Sequence, residues 1–406
     1  MKIYSIAIIG GGASGLILAT SIKNAGEVAL FERGERVGRK LSATGNGQGN
    51  ITNLTASRTE YFSVNHGVEK AQRILCAHDE KSMMEYFGEK GVLLIWDERD
   101  RVYPAGRQAS AVTDALRFDV AKKGIDLRLG EKIVSIEKES DGFILTSESA
   151  NGTQRCQAKK VVLCAGGKAA ANFGTDGSAY ALAKKLGHTV TPLYPSLVQL
   201  KTDTTYTKTL KGIRVNGGKL SVQTGKGEPI SFIGDIIFTD YGVSGDAVFR
   251  ASAFIASDIE GGSVKLSIDF LPTFTEERVL AALRKKKENY PDLAVGELLC
   301  GMVNNQIGRA VMKRAGGDIA LAAKLVKDFP LNVTGSLGFD YAQVTKGGIP
   351  LKEVDDDLQS VFTKGLYFAG EILDVDGQCG GFNLQWAYSS ARAVADAIQR
   401  SLGDNV

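Results

Sequence analysis

Three glycines near the start of the chain have the spacing of a phosphate-binding loop. Gly10, Gly12 and Gly15 fit the pattern G-x-G-x-x-G, and Glu32 follows at the distance expected of a ribose-binding acid. In such a loop the first glycine permits a tight turn, the second lets the backbone approach a pyrophosphate, and the third lets a helix pack on a strand. The pattern predicts an adenine dinucleotide site and leaves both FAD and NAD open.

A second glycine-rich turn lies near the C-terminus. The apolar run 366–369 leads into Gly370 and Glu371, and a helical pattern begins near Asn383 after the turn 377–383. A carboxylate after such a strand can bond a ribityl chain. The start of a helix can face the flavin carbonyl where negative charge collects on reduction. This second turn favours FAD over NAD.

The segments around these turns predict an α/β fold. Residues 3–9 form an apolar, β-branched run typical of a buried strand, 13–25 have a helical pattern, and 28–31 are apolar again. Short loops between them indicate a parallel β-α-β unit. Further helices are predicted at 68–88, 110–123 and 385–402, and further strands at 127–129, 132–138, 142–147, 154–158, 161–164 and 366–369.

The composition changes along the chain and predicts more than one domain. From Pro192 to about residue 270 the chain alternates apolar and polar positions, which is typical of an antiparallel barrel, whereas 274–327 contains helix formers. We expect an α/β, Rossmann-type FAD-binding domain interrupted by a β-barrel domain that carries a small helical domain. The expected boundaries are 1–190 and 345–406 for the FAD domain, 191–270 and 330–344 for the barrel, and 271–329 for the helical part.

Composition also excludes several classes of protein. The net charge is only +3, five cysteines include no C-x-x-C, and three histidines lack a metal-ligand spacing. No apolar stretch is long enough to span a membrane. We therefore expect a cytoplasmic protein without a metal, a nucleic-acid partner or a membrane segment, and the oligomeric state stays open.

The loop motifs together resemble one bacterial family, the three-domain flavoproteins typified by aminoacetone oxidase. The segments that carry the resemblance are 10–15, 32–33, 38–40, 44–47, 50–53, 164–167, 369–371, 377 and 380–385. The resemblance covers the whole chain and implies noncovalent FAD. One segment departs from the family pattern: 168–177 is shorter than the family's turn, which puts in doubt any cofactor contact carried over to it.

The motifs and the resemblance define a candidate cofactor set. The resemblance implies that the edge strand near Ile133 and Val134 offers backbone groups to adenine. The full set is Gly10, Gly12, Ala13, Ser14, Gly15, Glu32, Arg33, Arg39, Lys40, Asn46, Asn50, Val134, Ala165, Gly166, Gly370, Glu371, Gly381, Asn383 and Leu384.

The resemblance further implies an oxidation. The substrate would be a small primary amine such as aminoacetone, and dioxygen would reoxidise the flavin, with release of ammonia and hydrogen peroxide. The lack of a second strand-G-x-G-x-x-G-helix unit favours an oxidase over an enzyme that uses NAD(P)H. We assign no catalytic residue, and the substrate-side candidates are Tyr103, Arg107, Tyr241 and Phe382.

Two other hypotheses stay open at the level of sequence. An NAD(P)H-driven flavin reductase of an activated C=C bond is the first. A flavin-binding protein that acts through partners, for instance in nucleic-acid modification, is the second, although the weak net charge disfavours it.

Overall fold

The computed structural model describes residues 1–23, 26–59, 61–65, 67–224, 228–259 and 264–403, which form two compact units. The first unit contains 1–194 and the chain from 344 onward, and the second contains 195–343. The predicted end of the first helix at Ala25, and His66 among the histidines, lie outside the described residues. The three-domain boundaries stay a proposal.

The part of the first unit that precedes the second unit in sequence contains nine strands and five α-helices among its described residues. Its strands are β1 (Lys2–Ile9), β2 (Val28–Glu32), β3 (Thr52–Asn53), β4 (Leu94–Trp96), β5 (Arg101–Pro104), β6 (Asp126–Leu129), β7 (Lys132–Glu139), β8 (Gly142–Ser149) and β9 (Gly152–Leu163). Its helices are α1 (Ala13–Ser21), α2 (Val68–Ala77), α3 (Glu80–Gly88), α4 (Ala109–Lys122) and α5 (Ser178–Lys185).

The remaining elements begin near the boundary between the units. The strands are β10 (Tyr194–Ser196), β11 (Leu200–Thr202), β12 (Arg214–Gln223), β13 (Ile230–Phe238), β14 (Gly242–Ser244), β15 (Lys265–Asp269), β16 (Phe329–Ser336), β17 (Val344–Lys346) and β18 (Leu366–Phe368). The helices are α6 (Asp246–Phe254), α7 (Glu276–Asn289), α8 (Asn305–Arg314), α9 (Ile319–Lys327) and α10 (Phe382–Gly403).

A mixed sheet organises the first unit. Its strand order is β6-β2-β1-β9-β8-β7, and β18 pairs with the C-terminal part of β9. The strands β6, β2, β1, β9 and β18 run parallel, whereas β7 and β8 are antiparallel additions. Parallel strands point their carboxyl ends to the same edge, so the turns after β1, β9 and β18 lie next to one another.

A closed barrel forms the second unit. Its strand order is β11-β14-β13-β12-β15-β16, and its neighbouring strands are antiparallel. The helices α7, α8 and α9 lie between β15 and β16 in sequence, and they share one buried apolar cluster with the barrel. The predicted fold class is therefore confirmed.

Two predicted elements were wrong. The helix expected over 68–88 is two helices, α2 and α3, because the Asp79 carboxylate accepts the Ser82 N–H at 2.9 Å and starts a new helix. The strands expected at 154–158 and 161–164 are one strand, β9. Its first half pairs with β8 and its end with β18, and β1 pairs along it from Cys156 to Leu163, so the strand continues through the polar Lys159 and Lys160.

Neither a membrane span nor a metal cluster is found in the described part of the chain. No described helix is both long and apolar enough to cross a bilayer. The described histidine, cysteine and acidic side chains form no group of three that could hold a metal ion.

Candidate functional site

The turn between β1 and α1 can be built only with glycines at two positions. Gly10 has a φ of +107°, and a Cβ there would lie 2.6 Å from the carbonyl oxygen of Cys164 at the end of β9. A Cβ on Gly15 would overlap the carbonyl oxygen of Gly10. These two glycines therefore bring α1 and β9 close to the carboxyl end of β1.

The same turn is open where a phosphate would lie. A Cβ on Gly12 would meet no atom within 4 Å, and its φ of −82° is ordinary. Helix α1 begins at Ala13, and no side chain caps its N-terminus. Free N–H groups and the positive end of the helix dipole suit an anionic pyrophosphate. The residues present therefore fit the phosphates of a dinucleotide.

Glu32 occupies the position predicted for a ribose-binding acid. Its carboxylate accepts the Gly11 N–H at 2.9 Å and the Gly34 N–H at 2.7 Å, so the phosphate loop and the chain after β2 hold it in place. A carboxylate has further lone pairs, which stay available for ribose hydroxyls. We call the region around Glu32 the adenosine end.

The edge strand β7 borders the adenosine end. Glu131, just before β7, donates its backbone N–H to the Glu32 carbonyl at 3.0 Å. The register of β7 against β8 shifts between Ile133 and Ser135, which leaves Val134 as the extra residue of a bulge. A bulged residue has backbone groups outside the regular ladder. This geometry supports the expectation that Val134 offers backbone groups to adenine.

Three basic residues of the candidate set already have partners within the chain. Arg33 pairs with Asp176 at 2.6 Å, and Arg39 donates to the Asn172 carbonyl at 2.7 Å. Lys40 pairs with Glu371 at 2.7 Å. Sequence reasoning found the basic residues but not these partners.

The two glycine-rich turns at opposite ends of the chain meet. Ser14, at the start of α1, is buried and lies against Gly370, which has a φ of +78°. A Cβ on Gly370 would lie 2.6 Å from the Ser14 hydroxyl oxygen. The Gly370 N–H donates to the Ser390 hydroxyl of α10 at 2.8 Å. The Ser14 hydroxyl also lies 3.4 Å from the Ala369 carbonyl, 355 positions away in sequence, so the two ends of the chain are adjacent here.

Glu371 connects several segments of this site. One carboxylate oxygen accepts from the Lys40 ammonium at 2.7 Å, and the other accepts the Thr345 N–H at 2.9 Å. The Thr345 hydroxyl in turn accepts the backbone N–H groups of Lys168 and Ala169. Ala165 and Gly166 (φ +70°) come just before these two residues in the chain that leaves β9. No sequence motif singled out Thr345.

The start of α10 is closely packed on strand β3. Gly381 has a φ of +101°, and a Cβ there would overlap the Thr52 backbone. The Asn383 side chain accepts the Gly377 N–H at 2.9 Å and donates to the Gly377 carbonyl at 2.8 Å, which closes the turn. Leu384 is partly buried beside it. We call this region the flavin end.

The two remaining asparagines of the candidate set differ. Asn46 is exposed and has a φ of +55°, a left-handed conformation that asparagine tolerates. Asn50 is buried, and its amide donates to the carbonyls of Thr52 and Val102 at 2.9 and 3.1 Å. Any contact of Asn50 with a cofactor would therefore use its side-chain oxygen.

Three substrate candidates lie in the first unit. The guanidinium of Arg107 stacks over the Tyr103 ring at 4.5 Å, and that of Arg101 lies 5.9 Å from the same ring. A Cβ on Gly380 would lie within 3.7 Å of both Arg101 and the Phe382 ring. Arg101 thus links Tyr103 to the flavin end. Arg101 was not predicted.

Tyr241 lies in the second unit. It stands between β13 and β14, and its carbonyl accepts the Thr202 N–H at 3.0 Å. The Tyr241 carbonyl thus takes part in the barrel, and the role of its side chain as a substrate contact stays a prediction.

Burial raises the pKa of two tyrosines near the flavin end. Tyr61 is buried, its hydroxyl donates to the Phe382 carbonyl at 3.0 Å, and desolvation raises its pKa far above the ordinary value. Desolvation likewise raises the pKa of Tyr103, which the nearby Arg101 and Arg107 only partly oppose. At neutral pH both hydroxyls are hydrogen-bond donors.

A protein-family comparison matches nearly the whole chain. The matching family is described as "HI0933-like protein Rossmann domain", and the match covers residues 4–397. That span contains both glycine-rich turns and all the candidate site residues.

Named relatives of similar length also match. The chain is 33% identical to a 3-dehydro-bile acid delta(4,6)-reductase of Clostridium scindens, over 96% of this chain and 99% of the relative. It is 28% identical to a ribosomal RNA dihydrouridine synthase of Haemophilus influenzae, over 97% and 98% of the two chains. Neither of these two relatives is named as an amine oxidase, so the oxidation of aminoacetone stays a prediction.

Solved structures share the fold at low sequence identity. A 3-ketosteroid-delta4-(5alpha)-dehydrogenase from Rhodococcus jostii matches with a TM-score of 0.54 and 13% identity, over 98% of this chain and 97% of that chain. A flavocytochrome c3 fumarate reductase matches with a TM-score of 0.51 and 14% identity, over 98% and 78%. These two matches show the fold. The phosphate loop, Glu32 and the second glycine-rich turn fit FAD, and the chain belongs to the HI0933-like Rossmann-domain family of FAD-dependent oxidoreductases.

Proposed function

We propose that this protein reduces a carbon–carbon double bond conjugated to a carbonyl group, in a small molecule, with a reduced nicotinamide as electron donor. The observation that carries the proposal is the 33% identity, over almost the full length of both chains, with the bile acid reductase. Among the sequence-based hypotheses this one stood second to amine oxidation. The named relatives reverse that order.

The names of the two kinds of relative describe reductions of a similar double bond. By their names, one reduces delta(4,6) double bonds of a 3-dehydro-bile acid and the other forms dihydrouridine. A double bond beside a 3-keto group and the ring double bond of uracil are both conjugated to a carbonyl. Their reduction adds a hydride equivalent to the carbon β to the carbonyl and a proton to the α carbon. A hydrogen bond to the carbonyl oxygen assists this addition because negative charge develops there.

The chain offers suitable groups for this task. Bound FAD supplies the hydride equivalent once it is reduced. We propose that Tyr103 donates a hydrogen bond to the substrate carbonyl, since its hydroxyl is a donor at neutral pH and Arg107 stacks over its ring. Phe382 would form an apolar wall. The Lys40–Glu371 pair would orient the cofactor.

Amine oxidation is the competing outcome. The family resemblance supports aminoacetone as a substrate and dioxygen as acceptor, and both stay proposals. The site residues, including those of the adenosine and flavin ends, are proposals too.

The two functions make opposite predictions for the isolated flavoprotein. Under anaerobic conditions, NADH or NADPH should bleach the flavin absorbance, and a steroid-like 4-en-3-one should then restore it. Aminoacetone should leave the oxidised flavin unchanged. In a third experiment, uridine-containing rRNA replaces the 4-en-3-one as the oxidant of the reduced flavin.

The outcome decides between the hypotheses. Bleaching by aminoacetone, together with no reoxidation by the enone, would overturn the proposal. Reoxidation by rRNA alone would move the substrate to nucleic acid and contradict the small-molecule assignment.

A further inference from the structure

The chain from Lys168 to Ser178, between β9 and the start of α5, runs along the three basic residues of the candidate cofactor site. At its start, Lys168 and Ala169 bond the Thr345 hydroxyl, and the Ala169 carbonyl lies 3.5 Å from the Lys40 ammonium. We call residues 168–178 the strap. It contains the segment 168–177, whose sequence departs from the family pattern.

The middle and end of the strap contact the other two basic residues. The Asn172 carbonyl accepts from Arg39 at 2.7 Å. The Asp176 carboxylate pairs with Arg33 at 2.6 Å, and the Ser178 hydroxyl lies 3.4 Å from the same guanidinium. Contacts therefore extend from the Lys40–Glu371 pair to the adenosine end.

The strap has its own internal structure. The Thr175 hydroxyl donates to the Ala169 and Ala170 carbonyls at 2.5 and 3.2 Å, which folds the segment back on itself. The Asp176 carboxylate also accepts the Ser178 N–H at 2.9 Å and so holds the start of α5. The position of the Asp176 carboxylate is therefore fixed by the strap itself as well as by Arg33.

Asp176 is ionised under all ordinary conditions. Burial opposes ionisation of its carboxyl, but the hydrogen bonds from Arg33 and Ser178 outweigh that effect and hold its pKa well below the usual range. About a third of each side chain is exposed, so water screens part of the attraction.

Arg33 is in a position to matter for the adenosine moiety. It directly follows Glu32, whose carboxylate is bonded to the phosphate loop at Gly11. A guanidinium is planar and stacks on aromatic faces, but its long side chain needs an anchor to do so. Asp176 is that anchor in the described residues.

We propose that the strap is a retention device for FAD, in which Asp176 positions Arg33 against the adenosine end of the cofactor. The occupant is the adenosine half, because the Arg33 contact lies beside Glu32 and far along the strap from the Lys40–Glu371 pair. Asp176 is a positioning residue: it acts through Arg33. The inference does not depend on which substrate the enzyme reduces.

The experiment measures FAD release from the full-length holoenzyme by the rise in flavin fluorescence after dilution. Asp176→Asn should speed release about tenfold, and Arg33→Gln should do the same, since a charge-assisted bond at a partly exposed site is lost. The double variant should release FAD no faster than either single variant. Asp356→Asn, which removes the exposed partner of Arg73, is the matched control and should have no effect.

Competition with ADP locates the effect. ADP shares the adenosine and the pyrophosphate of FAD but lacks the flavin, so a loss at the adenosine end should weaken the binding of both equally. The ADP-to-FAD ratio that displaces half of the flavin should then be the same in Asp176→Asn as in the original protein. A lower ratio would place the loss at the flavin end.

Three results would overturn the proposal. They are unchanged FAD release in Asp176→Asn, additive effects in the double variant, and a lowered ADP-to-FAD ratio. Should Asp176→Asn fail to fold, Arg33→Gln and Asp176→Glu test the same contact, and Asp176→Glu should retain FAD better than Arg33→Gln.

Discussion

The three glycines of the first turn differ in whether the protein itself leaves room for a side chain at their position. Gly10 and Gly15 are limited by the protein, because a side chain would meet backbone atoms of the turn and of β9. Gly12 is limited by nothing in the protein itself. The motif alone does not distinguish the three glycines, whereas the structure separates the two that pack against protein from the one with open space beside it.

Gly12→Ala should therefore fold normally and lose FAD. The new methyl group meets no protein atom, but it would occupy the space that a pyrophosphate needs. We expect an unchanged melting temperature without added FAD and at least about tenfold weaker FAD binding, measured by flavin fluorescence.

Gly15→Ala is the matched comparison. Its methyl group would overlap the Gly10 carbonyl, so both the melting temperature and FAD binding should fall. Unaltered FAD binding in Gly12→Ala would show that the phosphates lie elsewhere.

Tyr103→Phe tests the proposed carbonyl contact. Removal of one hydroxyl that stabilises developing negative charge should slow enone-driven flavin reoxidation by about 10- to 100-fold. Flavin reduction by NADPH should keep its rate, because that step does not use the substrate carbonyl. Stopped-flow absorbance separates the two steps.

Tyr341→Phe serves as the control for this change, since Tyr341 is an exposed tyrosine of the second unit. Equal slowing of both half-reactions in Tyr103→Phe would indicate a disturbed flavin rather than a lost substrate contact.

At the scale of elements, helix α10 depends on the turn before it. The Asn383 side chain bonds both the N–H and the carbonyl of Gly377, and the Tyr61 hydroxyl donates to the Phe382 carbonyl. The helix start is therefore held from two sides. The helical pattern predicted the helix, but it could not show these anchors.

Asn383→Ala should loosen the flavin end. Loss of the bonds to Gly377 should cost about 1–3 kcal/mol in the free energy of unfolding, since each bond contributes about 1 kcal/mol. The visible spectrum of the bound flavin should shift as well, and absorbance spectroscopy would record it.

Asn151→Ala, at an exposed turn, should change neither quantity. A stable Asn383→Ala variant with an unaltered spectrum would show that the turn does not support the cofactor.

At the scale of the whole molecule, one buried network ties distant segments of the first unit together. The His188 ring contacts Glu353 at 3.2 Å and Ser360 at 2.7 Å, and its side chain is fully buried. Burial lowers its pKa, and Glu353 only partly opposes that effect. The histidine is thus held neutral in the folded protein.

This network should make stability depend on pH. Below the ordinary histidine pKa of about 6.5, the unfolded chain takes up a proton that the folded chain resists, so the free energy of unfolding should fall from pH 7 to pH 5. His188→Gln should reduce that dependence. Thermal unfolding followed by circular dichroism at several pH values would measure it.

His78 adds a contribution of the same sign, because burial also lowers its pKa. The informative quantity is therefore the difference between the original protein and His188→Gln. An identical pH dependence in the two proteins would contradict the assignment to His188.

Patterns between near neighbours in sequence were readable without a structure. The loop at Gly10 to Gly15, the acid at Glu32 and the run before Gly370 predicted FAD and the α/β class, because a turn, a strand and a helix each impose their own spacing.

The tertiary structure alone decided which side chains meet. The pairs Lys40–Glu371 and Arg33–Asp176 join residues 331 and 143 positions apart, and no periodicity relates such positions. The contact of Ser14 with Gly370 arises because the chain leaves the sheet and returns to it beside β9. Local spacing therefore determined the cofactor, whereas the long-range order of strands determined how its site is closed.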